Sequence, residues 1–235
     1  MQLFYNEHIA PETTQITFDK TESRHIVRVL RKTEGSTLHI TNGKGFLFTC
    51  EIIIASDKKC IASILKLEKE EKCWNYYLHV AIAPTKNNNR LEWFLEKATE
   101  IGIDEITPII CQNSEREIVK TDRMQKIIQS AMKQSLKFTL PKLNDAVSFS
   151  TFINQKNDGD LFIAHCEDTK KSLLKNQLKN SKKITILIGP EGDFSLDEIQ
   201  QAINKKHIPI SLGESRLRTE TAAIVAINTV SILHQ

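Results

Sequence analysis

The sequence predicts an α/β protein in two parts, a small β-barrel followed by a larger domain built on a mostly parallel sheet. Up to about residue 72, short apolar segments are separated by turn residues, which is typical of a small barrel. Residues 68–74 are strongly charged and have the composition of a linker. Beyond them, apolar strands alternate with helical periodicity, which favours a parallel sheet with helices between its strands. We therefore expect one domain over residues 1–72 and a second over residues 73–235.

The first part is expected to contain several strands and one helix. Residues 42–45 read Asn-Gly-Lys-Gly, a turn signal that predicts a hairpin between two of the strands. The helix should begin with Thr21 as its cap, and Gly35 should lie just beyond its end. The predicted strands are residues 16–19, 36–41, 46–56 and 59–68.

Basic residues follow Arg24 at distances of four, seven and eight positions, so a regular helix would present all of them on one face. The chain holds 32 Lys and Arg against 29 Asp and Glu, a net charge of +3. Affinity for nucleic acid would therefore have to come from such a local patch. A basic helical face is also commonly nothing more than solvated surface, and that alternative stays open. The residues concerned are Arg24, Arg28, Arg31 and Lys32, with His25 beside them.

The second part alternates strands with helices. A near-continuous apolar run at residues 76–84 predicts a strand buried on both faces. Residues 90–101 show one apolar helical stripe, and Gly102 should end that helix. The stripe consists of Leu91, Phe94, Leu95, Ala98 and Ile101. Further strands are expected at residues 105–110, 159–167, 182–189 and 208–213. Helices are expected at 121–136, in the gaps between the last three of these strands, and at 220–233.

Cysteine usage and the start of the chain bound the class of protein. The five cysteines are scattered, with no C-x-x-C pair, which argues against a disulfide framework and against a structural zinc site. The first ten residues lack a basic segment followed by an apolar one, and no apolar run reaches membrane-spanning length. We expect a soluble protein of the reducing cytoplasm, with no metal and no membrane contact.

Two glycine-bearing loops each connect a strand to a helix. The first is "GPEG" at residues 189–192, and the second contains Gly213 in "SLGESRLRTETA". Ser195 and Glu198 have the spacing of a capping box, so a helix should start after the first loop. At the same end of one parallel sheet, the loops would form a cleft lined with main-chain groups. Neither glycine-rich nucleotide signature is present, so the cleft needs another ligand.

The two loops resemble the paired C-terminal motifs of the SPOUT methyltransferases, and within that superfamily the 16S rRNA (uracil-N3)-methyltransferase family. The resemblance covers nearly the whole chain, because four further segments look like their counterparts in the same order. They are "RHIVRVLRKTEG" (24–35), "RLEWFLEKATEIGI" (90–103), "NSERE" (113–117) and "AMKQSLKFTLP" (131–141).

The resemblance implies a PUA-like barrel joined to a SPOUT α/β domain with a trefoil knot near its C-terminus. It also implies a homodimer. S-adenosyl-L-methionine would bind in a bent shape between the loops, where glycines let the backbone approach adenine and ribose. The implied cofactor-binding residues are Ile188, Gly189, Pro190, Glu191, Gly192, Leu212, Gly213, Leu217, Arg218, Thr221 and Ala222.

Methylation of uracil N3 requires that a weakly acidic N–H lose its proton. A cation near the ring carbonyls would stabilise the developing anion, and Arg218 is the candidate. A positioned base contributes about 10²–10⁴-fold in such a step. Glu220 is the nearest carboxylate, with Glu191 behind it. Glu220 could instead be a first-turn acid that interacts with the helix dipole, and Arg218 could form a loop salt bridge.

By resemblance, the partner is 16S rRNA in the assembled small ribosomal subunit, methylated at one uridine. Basic side chains would contact phosphates and line the route to the methyl donor. The segment at 131–141 departs from the family pattern, because Lys133 and Lys137 stand where the family usually has an acid and an arginine. The RNA-binding candidates are Arg24, His25, Arg28, Arg31, Lys32, Lys86, Arg90 and Arg116.

Two other interpretations remain. The protein could be a different SPOUT enzyme that methylates a ribose 2′-hydroxyl or another base. It could also be an RNA-binding or assembly factor that kept the fold and lost the activity. Intact "GPEG" and "LRTETA" motifs favour a working enzyme over such a factor.

Overall fold

A computed structural model describes residues 1–178 and 182–234 of the chain. The chain divides into two compact units. The first comprises Met1–Cys73 together with Met132–Leu140, and the second comprises Trp74–Ala131 and Pro141–Gln235. Residues 132–140 thus pack with the N-terminal unit although they lie far along the chain.

The first unit is built on a sheet with the strand order β1-β3-β4-β5-β2. β1 pairs parallel with β3, and the other pairs are antiparallel. The hairpin between β3 and β4 is confirmed, and Gly43 and Gly45 supply its positive φ angles of 72° and 82°. β1 is too short to show a period and was not predicted. The strands are β1 (Leu3–Tyr5), β2 (Gln15–Thr17), β3 (Thr37–Thr41), β4 (Phe46–Ile54) and β5 (Ile61–Lys69).

The helix of this unit differs from the prediction. α1 (Lys20–Arg24) is capped by Asp19, whose carboxylate accepts the Glu22 N–H at 2.8 Å, so the assignment of the cap to Thr21 was wrong. Asp caps a helix more effectively than Thr, and it stands in the extended conformation that a cap requires. A π-helical turn, His25–Val29, continues α1.

The predicted basic helical face was also wrong for two of its members. Helical structure ends at Val29, and Arg31 has a positive φ of 54°, so Arg31 and Lys32 lie outside the helix that carries Arg24. Gly35 has a φ of 80° and belongs to a separate turn, in which the Ser36 N–H donates to the Thr33 carbonyl.

The second unit contains a parallel sheet. Within its described residues the strand order is β11-β13-β10-β12-β6-β7-β8, with β9 paired to β7. The predicted strands and helices are confirmed with two differences. The two-residue strand β11 lies in the gap at 168–181 that we expected to be helical, of which residues 179–181 are outside the described residues. The two-residue strands β8 and β9 were not predicted. The strands are β6 (Tyr77–Ile82), β7 (Glu105–Ile110), β8 (Lys142–Leu143), β9 (Val147–Ser148), β10 (Asp160–Ala164), β11 (Ser172–Leu173), β12 (Lys183–Ile188) and β13 (Ile208–Ser211).

Helices cover this sheet. α7 packs against α2, β6 and β12, whereas Phe152 of α4 and Ala202 of α6 share a core with Ile163 and Leu187 of the sheet. The predicted stripe of α2 is buried at Leu91, Phe94, Leu95 and Ala98, and Gly102 ends the helix with φ at 131°. The helices are α2 (Asn88–Ile101), α3 (Thr121–Gln134), α4 (Phe149–Ile153), α5 (Leu174–Gln177), α6 (Leu196–Asn204) and α7 (Thr219–Leu233).

The parallel pairing gathers the ends of the strands at one edge of the sheet. Ala164, the last residue of β10, pairs with Ile188 of β12 on one side and with Ile210 of β13 on the other. The two glycine-bearing loops follow β12 and β13, so they lie on either side of the end of β10. This arrangement confirms that both loops stand at the same edge of the sheet.

The opposite edge carries a polar cavity of about 770 Å³ at the starts of β6, β7 and β12. Glu105 accepts hydrogen bonds there from the Tyr77 hydroxyl at 2.6 Å and from Lys142 Nζ at 2.8 Å. Burial opposes ionisation of Glu105, but the hydrogen bonds outweigh it and lower its pKa to about 2. His79 Nε2 lies 2.7 Å from the Thr107 hydroxyl, and burial lowers the pKa of His79 to about 4.

Stability should fall between pH 7 and pH 4. His79 and His207 are buried, and burial lowers the pKa of each to about 4, below the unfolded value of about 6.5. Each contribution is fully present above the unfolded value and is lost as pH falls to the folded one, because the unfolded chain then binds protons that the native state does not. Each histidine contributes at most about 3 kcal/mol. In urea unfolding at several pH values, the free energy of unfolding should depend less steeply on pH in His207→Gln than in the wild type. His8→Gln should show the same dependence on pH as the wild type. An unchanged slope in His207→Gln would contradict this account.

Candidate active site

The two loops at the carboxyl edge are named here by their first glycines: the Gly189 loop is residues 189–195 and the Gly213 loop is residues 212–218. The Gly189 loop ends in the predicted capping box. The Ser195 hydroxyl accepts the Glu198 N–H at 3.3 Å, and Glu198 Oε2 accepts the Ser195 N–H at 2.9 Å. Glu198 Oε1 also accepts the N–H of Gln112, which follows β7, at 2.9 Å. One buried carboxylate therefore fixes both the start of α6 and a neighbouring loop.

A buried hydrogen bond joins the two loops. The Thr219 hydroxyl, in the first residue of α7, donates to the Gly189 carbonyl at 3.0 Å. Thr219 follows the Gly213 loop directly and is 5% exposed. The end of one loop is therefore attached to the beginning of the other.

The Gly189 loop also packs closely on itself and on a neighbouring segment. Asn113 Nδ2 donates to the Gly192 carbonyl at 3.2 Å and to the Asp193 carbonyl at 3.1 Å. A Cβ at Gly192 would lie 3.1 Å from Asn113 Cβ, and one at Gly189 would lie 3.0 Å from the Phe194 ring. Packing within the protein therefore explains these two glycines. Gly213 differs, because it has φ at 137° and open space where a Cβ would stand.

Lys86 and Arg116, both RNA-binding candidates, lie together at this edge. The Lys86 N–H donates to Glu191 Oε1 at 3.0 Å, and Arg116 Nη2 donates to the Lys86 carbonyl at 2.7 Å. The Lys86 ammonium pairs with Glu115 at 2.7 Å, and that hydrogen bond raises the pKa of Lys86. A depression of about 440 Å³ lies over Lys86, Arg116 and Ile118.

The two proposed catalytic residues differ in their surroundings. The Arg218 side chain is exposed and makes no hydrogen bond or ion pair with the residues that the structure describes, so the predicted alternative of a loop salt bridge is not seen. Glu220 lies in the first turn of α7, and its side chain is 9% exposed. Arg90, in the first turn of α2, approaches Glu220 with Nε 3.7 Å from Oε1.

Unsatisfied buried polar atoms accumulate around the loops. Among the described residues, Arg116 Nε, Glu191 Oε2, Glu220 Oε2 and both ring nitrogens of His165 are buried without a hydrogen-bond partner. Buried polar groups are normally hydrogen-bonded, so this edge is incomplete in the isolated chain. The carboxyl edge therefore has the character of a ligand site.

Sequence reasoning missed His165 as a site residue. It follows β10 directly, between the two loops, and burial lowers its pKa. The next residue, Cys166, donates its N–H to Asp193 of the Gly189 loop at 2.6 Å. The available signal was position, because the first residue after each strand of a parallel sheet lies at the edge where ligands bind.

The remaining basic candidates belong to the first unit. Arg28 is held by Asp57, whose Oδ2 accepts from Nε at 2.9 Å and lies 2.8 Å from Nη2, and the hydrogen bond lowers the pKa of Asp57. Lys32 donates to the Thr37 carbonyl at 3.4 Å, and His25 lies 3.9 Å from Glu22. Arg24 and Arg31 are exposed.

Comparison with known proteins identifies the family. Residues 72–231 match the model of an RNA methyltransferase domain, and residues 18–65 match an RNA methyltransferase PUA domain. Ribosomal RNA small subunit methyltransferase E of Buchnera aphidicola from Acyrthosiphon pisum is 32% identical, over 94% of this chain and 90% of its own length. The chain belongs to the ribosomal RNA small subunit methyltransferase E family. The same enzyme of Rickettsia conorii is 30% identical over 99% of this chain and 95% of its own length.

Solved structures agree with this family. The crystal structure of a probable rRNA-methyltransferase from Porphyromonas gingivalis is 37% identical, with a TM-score of 0.91 over 100% of this chain and 98% of its own. Ribosomal RNA small subunit methyltransferase E from Neisseria gonorrhoeae, bound to S-adenosyl methionine, is 26% identical, with a TM-score of 0.87 over 99% and 98%. The predicted family is confirmed, as is a PUA-like domain joined to a parallel α/β domain.

Within residues 1–178 and 182–234, no group of three or more His, Cys, Asp or Glu side chains could hold a metal ion. No helix in the described part of the chain has the length and apolar character to span a membrane.

Thr219→Val should weaken the connection between the loops. The substitution leaves the buried Gly189 carbonyl without its partner, which costs about 1–3 kcal/mol of unfolding free energy. Thr229→Val is a matched control on the same helix, because the Thr229 hydroxyl bonds to the Val225 carbonyl, an intrahelical acceptor. The control should change stability by less than about 0.5 kcal/mol. Urea unfolding measures both, and amide hydrogen exchange of residues 191–195 should accelerate only in Thr219→Val. Equal effects of the two variants would show that the loop bond is unimportant.

Proposed function

We propose that this protein transfers a methyl group from S-adenosyl-L-methionine to N3 of one uridine of 16S rRNA, acting as a cytoplasmic homodimer on the assembled small ribosomal subunit. Family membership supports methyl transfer to ribosomal RNA. The observation that carries the proposal is the Thr219–Gly189 hydrogen bond, which brings together the two motifs of the resemblance. The cytoplasmic location follows from the proposed substrate.

The carboxyl edge suits the proposed cofactor. Unsatisfied donors and acceptors surround the loops, and the open side of Gly213 leaves room for a close backbone approach. The Neisseria gonorrhoeae structure, which holds S-adenosyl methionine, aligns with 99% of this chain. The residues proposed to hold the cofactor are Ile188, Gly189, Pro190, Glu191, Gly192, Leu212, Gly213, Leu217, Arg218, Thr221 and Ala222.

We also propose the finer architecture that the resemblance implies. Residues 1–72 would form the RNA-binding PUA-like domain, and residues 73–235 the SPOUT domain with a trefoil knot. The knot is supported by the path of the chain after β12: β13 pairs beyond β10, and α7 then returns to pack on β6 and β12. A dimer is supported by exposed apolar residues on two packed helices, Trp93 of α2 with Ile232 and Leu233 of α7.

In the proposed reaction the N3–H bond of uracil and the S–CH₃ bond of the methyl donor break, an N3–CH₃ bond forms, and one proton and S-adenosylhomocysteine are released. S-adenosylmethionine, when bound, supplies an electrophilic methyl group on a sulfonium. Arg218, exposed and without an ion-pair partner in the described chain, would stabilise the charge that develops on the uracil carbonyls. Glu220 is the carboxylate of the site. The Glu220 side chain is only 9% exposed, so a substrate proton reaches it less easily. A direct role for Glu220 as proton acceptor is therefore less well supported than the role of Arg218.

RNA would be held by basic side chains at two places. Arg24, Arg28, Arg31, Lys32 and His25 lie in the first unit, and Arg24 and Arg31 are exposed. Lys86, Arg90 and Arg116 lie near the loops of the second unit. Because Arg28 is held by Asp57, Arg24 and Arg31 are better placed to reach phosphates.

The proposed reaction is tested by incubating the purified protein with labelled S-adenosylmethionine and small ribosomal subunits from cells that lack it, followed by mass spectrometry of the nucleosides. Labelled 3-methyluridine is expected. Arg218→Ala should lower kcat by about 10²–10³-fold, the cost of removing one charge-stabilising donor. Arg216→Ala, on the same exposed loop, is the matched control and should retain activity.

Other outcomes separate the alternatives. Label on ribose or on another base would identify a different SPOUT reaction. Tight binding of the cofactor with no transfer of label to the RNA would show that the small subunit is not the substrate. Absence of cofactor binding would favour an inactive RNA-binding factor. Wild-type turnover in Arg218→Ala would rule out the proposed role of that residue.

Reversing two charges of the first unit should weaken RNA binding. The Arg24→Glu, Arg31→Glu double variant is expected to lower affinity for the small subunit, and to reduce the dependence of log K on log salt by roughly 0.7–0.9 for each lost phosphate contact. Cofactor affinity should not change. Lys69→Glu is the control within the same unit, because Lys69 is an exposed residue of β5. If Lys69→Glu weakened binding equally, general charge rather than this patch would be responsible.

A further inference from the structure

Arg90 and Glu220 form an ion pair at the starts of two helices. Arg90 lies in the first turn of α2, Glu220 lies in the first turn of α7, and the two helices pack together. Arg90 Nε lies 3.7 Å from Glu220 Oε1. The pair thus connects two elements that begin at the carboxyl edge of the sheet.

The two partners differ in their access to solvent. The Glu220 side chain is 9% exposed and its Oε2 is buried without a hydrogen-bond partner, whereas the Arg90 side chain is 35% exposed. A substrate atom can therefore reach the guanidinium more readily than the carboxylate. A buried carboxylate with one cationic neighbour is well suited to orient that cation.

In this orientation the two terminal amino groups of the Arg90 guanidinium can bind a ligand. Its Nε faces Glu220, and its terminal amino groups make no hydrogen bond with any other residue that the structure describes. Two parallel N–H groups of a guanidinium match the two oxygens of a carboxylate or a phosphate. The free end of Arg90 therefore suits an oxyanion.

The pair lies next to both loops. Glu220 follows Thr219, which bonds to Gly189, and Lys86, just before α2, bonds to Glu191 of the Gly189 loop. An oxyanion held by Arg90 would thus be at the border of the proposed cofactor site.

We propose that Arg90 is an oxyanion-binding residue of this site and that Glu220 is a positioning residue that acts through Arg90. The oxyanion is either the carboxylate of the cofactor's methionyl group or a phosphate of the RNA. This inference rests on the proposed function and gives Glu220 a role other than proton transfer.

Variants of the pair test the inference in the full-length protein. Arg90→Met should weaken binding of the relevant oxyanion about 10-fold or more, as expected for loss of a charge-assisted hydrogen bond. Glu220→Ala should weaken it similarly, and the double variant should be no worse than either single one, because both act through one group. Glu220→Gln keeps an oxygen beside Nε but removes the charge of the ion pair, so its effect on binding should lie between those of the wild type and Glu220→Ala. Arg123→Met is the matched control. Arg123 Nε lies 2.6 Å from Glu92 Oε1 of α2, and neither side chain bonds to the Gly189 loop or the Gly213 loop, so this variant should have no effect.

Two ligands identify the source of the oxyanion. If it is the cofactor's carboxylate, Arg90→Met should weaken S-adenosylhomocysteine but not 5′-methylthioadenosine, which lacks the carboxylate, in calorimetric titrations. If it is an RNA phosphate, both cofactor analogues should bind normally, and affinity for the small subunit and its salt dependence should fall.

Two results would overturn the inference. One is normal binding of S-adenosylhomocysteine and of the small subunit by Arg90→Met. The other is a large loss of kcat in Glu220→Gln with unchanged binding, which would make Glu220 a proton acceptor. Circular dichroism and urea unfolding confirm that each variant is folded. Failure of the proposed function is distinguishable, because a wild-type protein that labels another nucleoside still leaves the binding of each variant measurable.

Discussion

The hydrogen bond from Thr219 to the Gly189 carbonyl is the constraint on which the site depends. β10 lies between β12 and β13, so the hydrogen bonds of the sheet do not join the two loops directly. The connection has to come from outside the sheet, and a side chain at the start of α7 provides it at 3.0 Å in a buried position. Because an unpaired buried carbonyl is costly, the bond favours one arrangement of the loops. The arrangement of the two loops therefore depends on the packing of α7 on the sheet.

Much of the fold could be predicted because it follows from the spacing of apolar residues and from interactions between residues close in the chain. The buried strands and the stripe of α2 follow from apolar spacing, and the capping box of Ser195 and Glu198 follows from two residues three apart. The failures have equally local causes. The choice of Asp19 over Thr21 depends on which residue adopts the extended conformation, and the positive φ of Arg31 leaves no trace in residue spacing.

The partners of the site residues could not be predicted for a different reason. The sequence pointed to Arg90, Lys86 and Glu220 as charged residues near motifs, but no pattern records that Arg90 meets Glu220 or that the Lys86 N–H meets Glu191. These contacts join segments far apart in the chain, and they exist only once the sheet has brought its carboxyl ends together. Residue type therefore predicted which charged groups lie near the site. Contacts between distant segments decide which of these groups are paired within the protein and which can bind a ligand.

The two edges of the sheet show why size alone does not locate a site. The larger cavity lies at the amino edge, but Glu105, its least exposed carboxylate, is held there by Tyr77, Lys142 and Asn144. At the carboxyl edge the depression is smaller, yet Glu191, Glu220 and His165 keep buried atoms without partners. A paired network is complete by itself and needs no ligand, whereas unpaired buried groups destabilise the isolated chain unless something binds them. Among the described residues, most of these unpaired atoms lie at the carboxyl edge, next to the motifs of the family, and their number there is the physical argument for placing the function at that edge.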